Sequence, residues 1–218
     1  MRRGAAWLFN VGALVYSGMN AQAVWGRSCA RLAAHLPDGE RLRIVDLGCG
    51  PAFAAIALAR ARPAAAIIGC DLAPLMLREA RRRLARAGLS GRVQLLEADA
   101  ARLPLAGGTV DAVTGHSFLY LVDRPAEVLA EIHRILRPGG RLVLMEPNDR
   151  GAPLREVLRH SRDPRFLVSV SLWRPYSRRH GRFSATSLRS TLEAAGFRRF
   201  GSEEVLGGLG LVGWAHRV

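Results

Sequence analysis

The run Ile44-Val45-Asp46-Leu47-Gly48-Cys49-Gly50-Pro51 constrains this chain more than any other stretch. Two β-branched apolar residues lead into an acid. Two glycines with one residue between them follow, and then an alanine-rich apolar segment over 52–62. That order predicts a buried strand, a tight turn and a helix. Gly48 and Gly50 lack Cβ, so the backbone there can take dihedrals closed to other residues, and a ligand can lie directly against it. The turn also aims the unpaired N–H groups of the helix start at that ligand. One G-x-G alone is a weak nucleotide signature, and the remainder of the chain decides what it means.

The same unit recurs. Pro63 breaks the first helix, and 66–71 is a second apolar run ending in an acid, Asp71. Pro74 opens a helix whose Leu77, Ala80, Leu84 and Ala87 form an apolar stripe, and Gly88 closes it. Residues 93–99 form a third strand ending in Asp99. A turn at Gly107-Gly108 precedes a fourth strand over 110–114, followed by His116-Ser117. A helix over 127–136 stops at Pro138-Gly139-Gly140, and 141–146 is the fifth strand. Strand alternating with helix predicts an α/β fold with a doubly wound, mostly parallel sheet. Ligands of such sheets bind beyond the carboxyl ends of the strands, where strand order reverses. Asp46, Asp71, Asp99 and His116 each fall near such an end.

Around that core (41–147) stand N-terminal helices over 1–40, ended by Pro37-Asp38-Gly39. Residues 148–183 break the rhythm. They are rich in Arg and Pro, carry His160, Trp173, Tyr176 and His180, and predict a small cap of short helices inserted after the fifth strand. Over 184–218 a helix from Ser184 to Ala195 precedes an antiparallel hairpin of 197–206 and 209–217, which brings the strand count to seven. No internal repeat or long linker is legible, so the expectation is a single domain of 218 residues.

At 49% hydrophobic and 23% charged the chain is globular in composition. Its net charge of +14 would ordinarily indicate nucleic acid or an anionic membrane. Yet all 32 basic residues are arginine, and alanine is abundant, a pattern of GC-rich coding and solvated faces rather than of a polyanion-binding patch. Cys29, Cys49 and Cys70 are odd in number and form no C-x-x-C pair, so neither a metal site nor a disulfide framework is expected. That usage suits a reducing compartment, and cytoplasmic residence is expected. Arg2-Arg3, the apolar 5–15 and Ala21-Gln22-Ala23 imitate a secretory leader. Asn10, Gly12 and Ser17-Gly18 interrupt that apolar run, and the helical pattern continues from Trp25 to Leu36.

Taken together, these residues resemble a class I S-adenosylmethionine-dependent methyltransferase, of the group that includes the ubiquinone/menaquinone C-methyltransferases, over roughly 8–147. Val45-Asp46-Leu47-Gly48-Cys49-Gly50 resembles the family's first motif, Gly69-Cys70-Asp71 its second and Glu97-Ala98-Asp99-Ala100 its third. Residues 137–144 resemble the stretch leading into its fifth strand, and Tyr16-Ser17-Gly18-Met19-Asn20 with Trp25 is similar to a segment of the quinone enzymes. Three departures stand out. Ala52, preceded by Pro51, occupies the place of the third glycine, Ser17 replaces an aspartate, and Pro147-Asn148 follows Glu146. The lost glycine weighs more against a dinucleotide, whose pyrophosphate needs that cradle, than against this cofactor.

The resemblance implies a Rossmann-like sheet and S-adenosyl-L-methionine as cofactor, with S-adenosyl-L-homocysteine as product. Asp71 is then the ribose-diol ligand, with Leu72 beside it. Asp99 and Ala100 face the adenine amino group, and Met76 either touches the adenine or packs in the core. Asp46 orients the turn formed by Gly48, Cys49 and Gly50 and faces the cofactor's ammonium. His116 and Tyr120 are the candidates to line the methyl-transfer point, with a packing or hydrogen-bonding role open for His116. Tyr16, Trp173, Tyr176 and His180 are candidates to close over the acceptor, a core or surface role being equally open for each. Methyl transfer is an in-line displacement on an activated carbon, so alignment and water exclusion dominate, and a base is needed only where the acceptor must lose a proton.

The stretch Thr114-Gly115-His116-Ser117-Phe118 is unlike the Asn/Asp-Pro-Pro-Tyr/Phe of nucleobase amino-methylating enzymes. A small-molecule or lipid/quinone-like acceptor is the expectation, with no specific nucleic acid. The Arg-rich cap is suited to an acidic substrate or to peripheral contact with an anionic membrane. Two alternatives stay open: an RNA methyltransferase that uses the cap as its phosphate-binding face, and a catalytically inactive cofactor-binding partner protein.

Overall fold

Each inner strand is apolar where it crosses the core and polar where it leaves it, and the structure follows that pattern. The computed structural model describes residues 23–151, 153–160 and 163–218. Its strands are β1 (Arg43–Leu47), β2 (Ala66–Asp71), β3 (Val93–Glu97), β4 (Val110–His116), β5 (Leu136–Pro147), β6 (Phe197–Val205) and β7 (Gly210–Arg217). They form one seven-stranded sheet in the order β3-β2-β1-β4-β5-β7-β6. The first five run parallel, and β7 pairs antiparallel with both β5 and β6. Strand order reverses between β1 and β4, the place where such sheets open a crevice.

The helices are α1 (Ala23–Ala34), α2 (Phe53–Ala61), α3 (Pro74–Arg86), α4 (Pro125–Ile135), α5 (Leu154–His160), α6 (Pro164–His180) and α7 (Ala185–Ala194). Successive strand residues point to opposite faces, so Ile44 and Val45 enter two different cores. On one face Ile44, Ile67, Ala112 and Val143 meet Leu32 of α1 and Leu58 of α2. On the other, Val45, Val113 and Leu142 meet Leu129 and Ile132 of α4 and Leu188 and Leu192 of α7. Each such aliphatic side chain contributes about 1.5–3 kcal/mol on burial. Among the described residues no helix is long and apolar enough to cross a membrane.

The expected elements are present, with shifted boundaries. β4 continues past Thr114 to His116, and β3 stops at Glu97. β5 begins at Leu136, which pairs with Val110; the register then shifts before Arg141 pairs with Ala112. Gly140 is required there, because a Cβ on it would stand 2.8 Å from the Arg137 carbonyl oxygen and 3.1 Å from that of Asp111. The cap differs from its expectation. In place of short helices it holds one seven-residue helix, α5, and one of 17 residues, α6. Asp163 caps α6 by accepting the Arg165 N–H at 2.8 Å, and Pro164 suits its first turn. Pro175 lies inside α6 on its exposed side, where its missing N–H leaves solvent to serve the freed carbonyl. Tyr16 and the rest of the N-terminal segment lie outside the described residues, as do the side chains of Trp25 and His160.

The far edge of the sheet is tied to α1 by a stacked pair. The rings of His35 and Trp214 lie 3.9 Å apart at 12°, and Glu203 holds His35 Nε2 at 3.0 Å and Arg31 Nε at 3.3 Å. Gly201 makes room for the indole, since a Cβ there would meet Trp214 at 2.5 Å. Gly201→Ala is therefore expected to expel Trp214 from the stack and to cost about 1–3 kcal/mol. Urea denaturation followed by tryptophan fluorescence checks this; an unchanged midpoint and spectrum would refute it.

Candidate functional site

The switch point places an acid on each side of the first turn. Asp46 pairs in register with Gly69 of β2 and with Thr114 of β4. Thr114 Oγ1 donates to Asp46 Oδ1 at 2.8 Å, while Oδ2 is buried without a hydrogen-bond partner, although the Ala55 N–H lies close enough to favour the ionised carboxylate. Burial raises the Asp46 carboxyl to about 7, against the lowering effect of Thr114, and the charge of Asp71 adds to the rise. Asp71 is anchored more fully. Gly50 N–H donates to its Oδ2 at 2.8 Å and Ala73 N–H to its Oδ1 at 2.9 Å. Burial raises this carboxyl too, and the two donors work against that rise.

The turn itself takes left-handed backbone at Gly48 (φ 60°), Gly50 (φ 49°) and Ala52 (φ 64°). A Cβ at Gly48 would stand 2.6 Å from Phe118, whereas one at Gly50 would meet only the Gly48 carbonyl oxygen, at 4.0 Å. The space over Gly50 is thus open to a ligand. Ala52 adopts the dihedrals of the glycine it replaces, at a cost of about 1–2 kcal/mol, and is fully buried.

Two cavities meet over this turn. The first, about 790 Å³ including its open mouth, is lined by Gly48, Gly50, Asp71, Leu72, Met76, Asp99, Ala100 and His116, with Phe118, Leu121 and Val122 as an apolar wall. The second, about 560 Å³, lies on the other side of the turn among Asp46, Cys49, Phe53, Cys29 of α1 and Trp173 of α6. Gly48, Gly50, His116 and Ser117 belong to both.

His116 is bonded through Nε2 to Ser28 Oγ of α1 at 3.1 Å. Its ring reaches the cavities but is shut off from bulk water, which lowers its pKa to about 4, so the imidazole is neutral at pH 7. Ser117 beside it holds φ 53° and donates its N–H to the Met145 carbonyl at 2.7 Å. Asp99 is half exposed, accepts the Ala101 N–H at 3.0 Å and lies 3.7 Å from Arg124 at the cleft mouth. The three cysteines are free and buried, and burial pushes the Cys70 thiol up to about 12, so none is a nucleophile.

Every residue singled out for the cofactor thus lines one cavity or the other. Of the acceptor candidates, Trp173 does so, whereas Tyr120, Tyr176 and His180 are not among the lining residues. Tyr120 is buried in a single 3₁₀ turn, Leu119–Leu121. Tyr176 and His180 stack on each other with ring centroids 4.2 Å apart, and His180 Nδ1 lies 2.9 Å from the Tyr176 carbonyl oxygen.

Sequence reading missed two residues. One is Ser28, which only the packing of α1 against the switch point reveals. The other is Glu146, which ends β5 as Asp46 and Asp71 end their strands, a pattern that could have flagged it. Glu146 is buried and accepts three N–H groups, those of Phe118 (3.2 Å), Leu119 (2.7 Å) and Tyr120 (3.3 Å). It thereby holds the loop that carries the apolar wall of the first cavity. Burial raises it to about 7 despite those donors.

A doubly wound sheet with a glycine turn between two strand-end acids and a cleft over that turn is the architecture of a class I S-adenosylmethionine-dependent methyltransferase. Residues 45–144 match the family described as a methyltransferase domain, and this match together with the curated relatives supports a methyltransferase of the type 11 group, with S-adenosyl-L-methionine as cofactor. It is 43% identical over 113 residues to a demethylmenaquinone methyltransferase from Thermus thermophilus, covering 50% of each chain. It is 34% identical over 146 residues to a trans-aconitate 2-methyltransferase from Methylobacterium nodulans, covering 66% of this chain and 54% of that one. The chain spans about half the length of these curated relatives. The fold superposes with a TM-score of 0.75 on a protein described as an S-adenosylmethionine-dependent methyltransferase from Methanococcus maripaludis, at 19% identity over 96% of this chain and 93% of that one.

Removing Glu146 leaves three buried N–H groups without an acceptor. Glu146→Ala is expected to cost about 2–4 kcal/mol in urea unfolding, and Glu146→Gln, which keeps one acceptor oxygen, less. Because the folded-state pKa lies above the usual 4.5, the group's contribution is full below pH 4.5 and is lost as pH rises through about 7. Wild type should therefore lose stability relative to Glu146→Gln between pH 5 and pH 8. A constant difference across that range would contradict the assignment.

Proposed function

We propose that the protein transfers the methyl group of S-adenosylmethionine to a small-molecule or lipid/quinone-like acceptor seated in the second cavity. The observation that carries this reading is that the two cavities meet at Gly48, Gly50, His116 and Ser117. With the adenosine in the first, Asp46 on the wall of the second would receive the amino-acid tail across Gly50, and the methyl group would face an acceptor in the remainder of the second. When bound, the cofactor supplies a sulfonium methyl already activated for displacement. The residues present suit it: the unpartnered Oδ2 of Asp46 meets the need of its ammonium, and the open space over Gly50 meets that of its tail. Asp71 accepts from the backbone of Gly50, Ala73 and Leu72 and, with four lone-pair sites on its two oxygens, retains capacity for a ribose diol. Leu72, Met76, Leu121 and Val122 offer apolar contact to an adenine, with Asp99 and Ala100 at its polar edge.

The chain's own work is then alignment and exclusion of water, for which α1 and α6 supply the walls. A neutral His116 with a pKa near 4 is a poor proton acceptor at pH 7, but it is a fixed hydrogen-bonding group that can orient an acceptor. The relatives' names, a demethylmenaquinone and a trans-aconitate methyltransferase, support a small-molecule acceptor here.

Calorimetric titration with S-adenosylmethionine tests the reading. Because Asp46 titrates near 7 in the free protein and must be ionised to receive an ammonium, affinity should rise with pH from 6 to 7.5. At the low end the slope should approach about tenfold per pH unit. Asp46→Asn should weaken binding at pH 7.5 by about tenfold or more and flatten that slope. Wild-type affinity and slope retained in the variant would sink the assignment.

A further inference from the structure

The cap holds a third cavity, separate from the cofactor cleft. Arg174 and Arg178 stand one turn apart on α6, and Arg182 follows just beyond its end. With Asp149, Arg150 and Gly151 they line an open hollow of about 720 Å³. A Cβ placed on Gly151 would lie 3.9 Å from Arg174 Nη2 and 4.0 Å from Arg182 Nη1, so both guanidinium groups face the same glycine.

Arginines on a solvated face ordinarily swing apart. Arg182 does not have that freedom. Its Nε donates to Ser177 Oγ at 3.1 Å, and its Nη2 donates to Ser177 Oγ at 2.9 Å and to the Arg174 carbonyl oxygen at 2.7 Å. These bonds turn Nη1 toward the hollow. Burial first, and then the charges of Arg178 and Arg174, lower the Arg182 pKa, as expected for like charges held together. Arg150 is already paired with Glu204 at 3.1 Å. None of Arg174, Arg178 and Arg182 forms an ion pair with a carboxylate among the described residues, and Asp149 is the acid whose charge is felt at Arg182.

We propose that this hollow binds a phosphate group. Three guanidinium charges against one carboxylate leave two positive charges, the complement of a phosphate monoester dianion. The planar donor forks of arginine match its oxygens in pairs. The phosphate has two sources of the same chemistry: a soluble small molecule, or the headgroup of an anionic lipid. Arg174 directly follows Trp173, a wall residue of the second cavity, so a phosphate held here could belong to the acceptor itself. That last link rests on the reading of the second cavity as the acceptor site.

The test is calorimetry on the full chain with sodium phosphate and then glycerol 3-phosphate, against sodium chloride at matched ionic strength. Co-sedimentation with phosphatidylcholine vesicles, with and without phosphatidic acid, accompanies it. Saturable phosphate binding is expected, weakened about tenfold or more in Arg174→Gln/Arg182→Gln. Arg178 is exposed and its loss disturbs no packing, so Arg178→Gln should weaken binding severalfold whatever becomes of the double variant. Tight binding of glycerol 3-phosphate without vesicle capture assigns a soluble source. Capture dependent on phosphatidic acid, and lost in the variants, assigns a lipid one. Heats no different from those of chloride, or affinities unchanged in both variants, would overturn the proposal. S-adenosylmethionine is titrated into the same preparations. If wild type binds phosphate but not the cofactor, the methyl-transfer reading fails while this site stands.

Discussion

The structure depends on one carboxylate. Asp71 ends β2 and accepts N–H groups from two different connections, Gly50 from the turn after β1 and Ala73 from the start of α3. Those donors are 21 and 2 residues away along the chain, and only the parallel register of β1 and β2 brings the first within reach. The turn can in turn present its N–H to Asp71 only because residue 50 takes φ 49°, which glycine adopts without penalty. Asp46 repeats the arrangement on the other side of the same turn, held by Thr114 of β4. The crevice therefore owes its precision to the sheet, and its loops are fastened to strand ends.

That fastening is electrostatically expensive. Asp46, Asp71 and Glu146 are all carboxylates whose burial disfavours ionisation, and Asp71 raises Asp46 further. For Glu146 the return is structural, since three backbone donors of the loop after β4 converge on it. For Asp46 only one oxygen is served by Thr114, and the other is spare. A buried acid with a spare lone pair facing a cavity is stabilised by a cation placed there. In that respect Asp46 differs in kind from Glu146, although both sit at strand ends with similar burial.

Much of this was legible in sequence, and for a physical reason. Strand, glycine turn and helix are local patterns, so Asp46, Gly48, Gly50, Asp71 and Asp99 could be placed from neighbours a few residues away. The sheet class followed from alternation and is borne out down to the antiparallel β6 and β7. What escaped was non-local or capped by one residue. Ser28 meets His116 across 88 positions, and Glu146 meets Leu119 across 27. The length of α6 escaped because the stretch 148–183 is rich in Arg and Pro, whereas the exposed position of Pro175 tolerates the lost N–H and Asp163 with Pro164 marks the helix start. Tyr120, a candidate for the methyl-transfer point, is buried in the 3₁₀ turn and is not among the residues that line either cavity.

The two halves of the site are consequently built in different ways. The proposed cofactor side comes from residues 46–122, all within the family match at 45–144, and is written in short contiguous motifs. The proposed acceptor side, the second cavity, is assembled from Cys29 on α1, Trp173 on α6 and the face of the turn that points away from the cleft, with Ser28 of α1 bonded to His116 beside it. These elements lie outside the matched segment, and they are joined to it by packing rather than by sequence. Relatives named for acceptors as unlike as demethylmenaquinone and trans-aconitate can therefore share the first half. On the proposed reading, the fold sets where a methyl group is presented, and the helices packed over that point select what receives it.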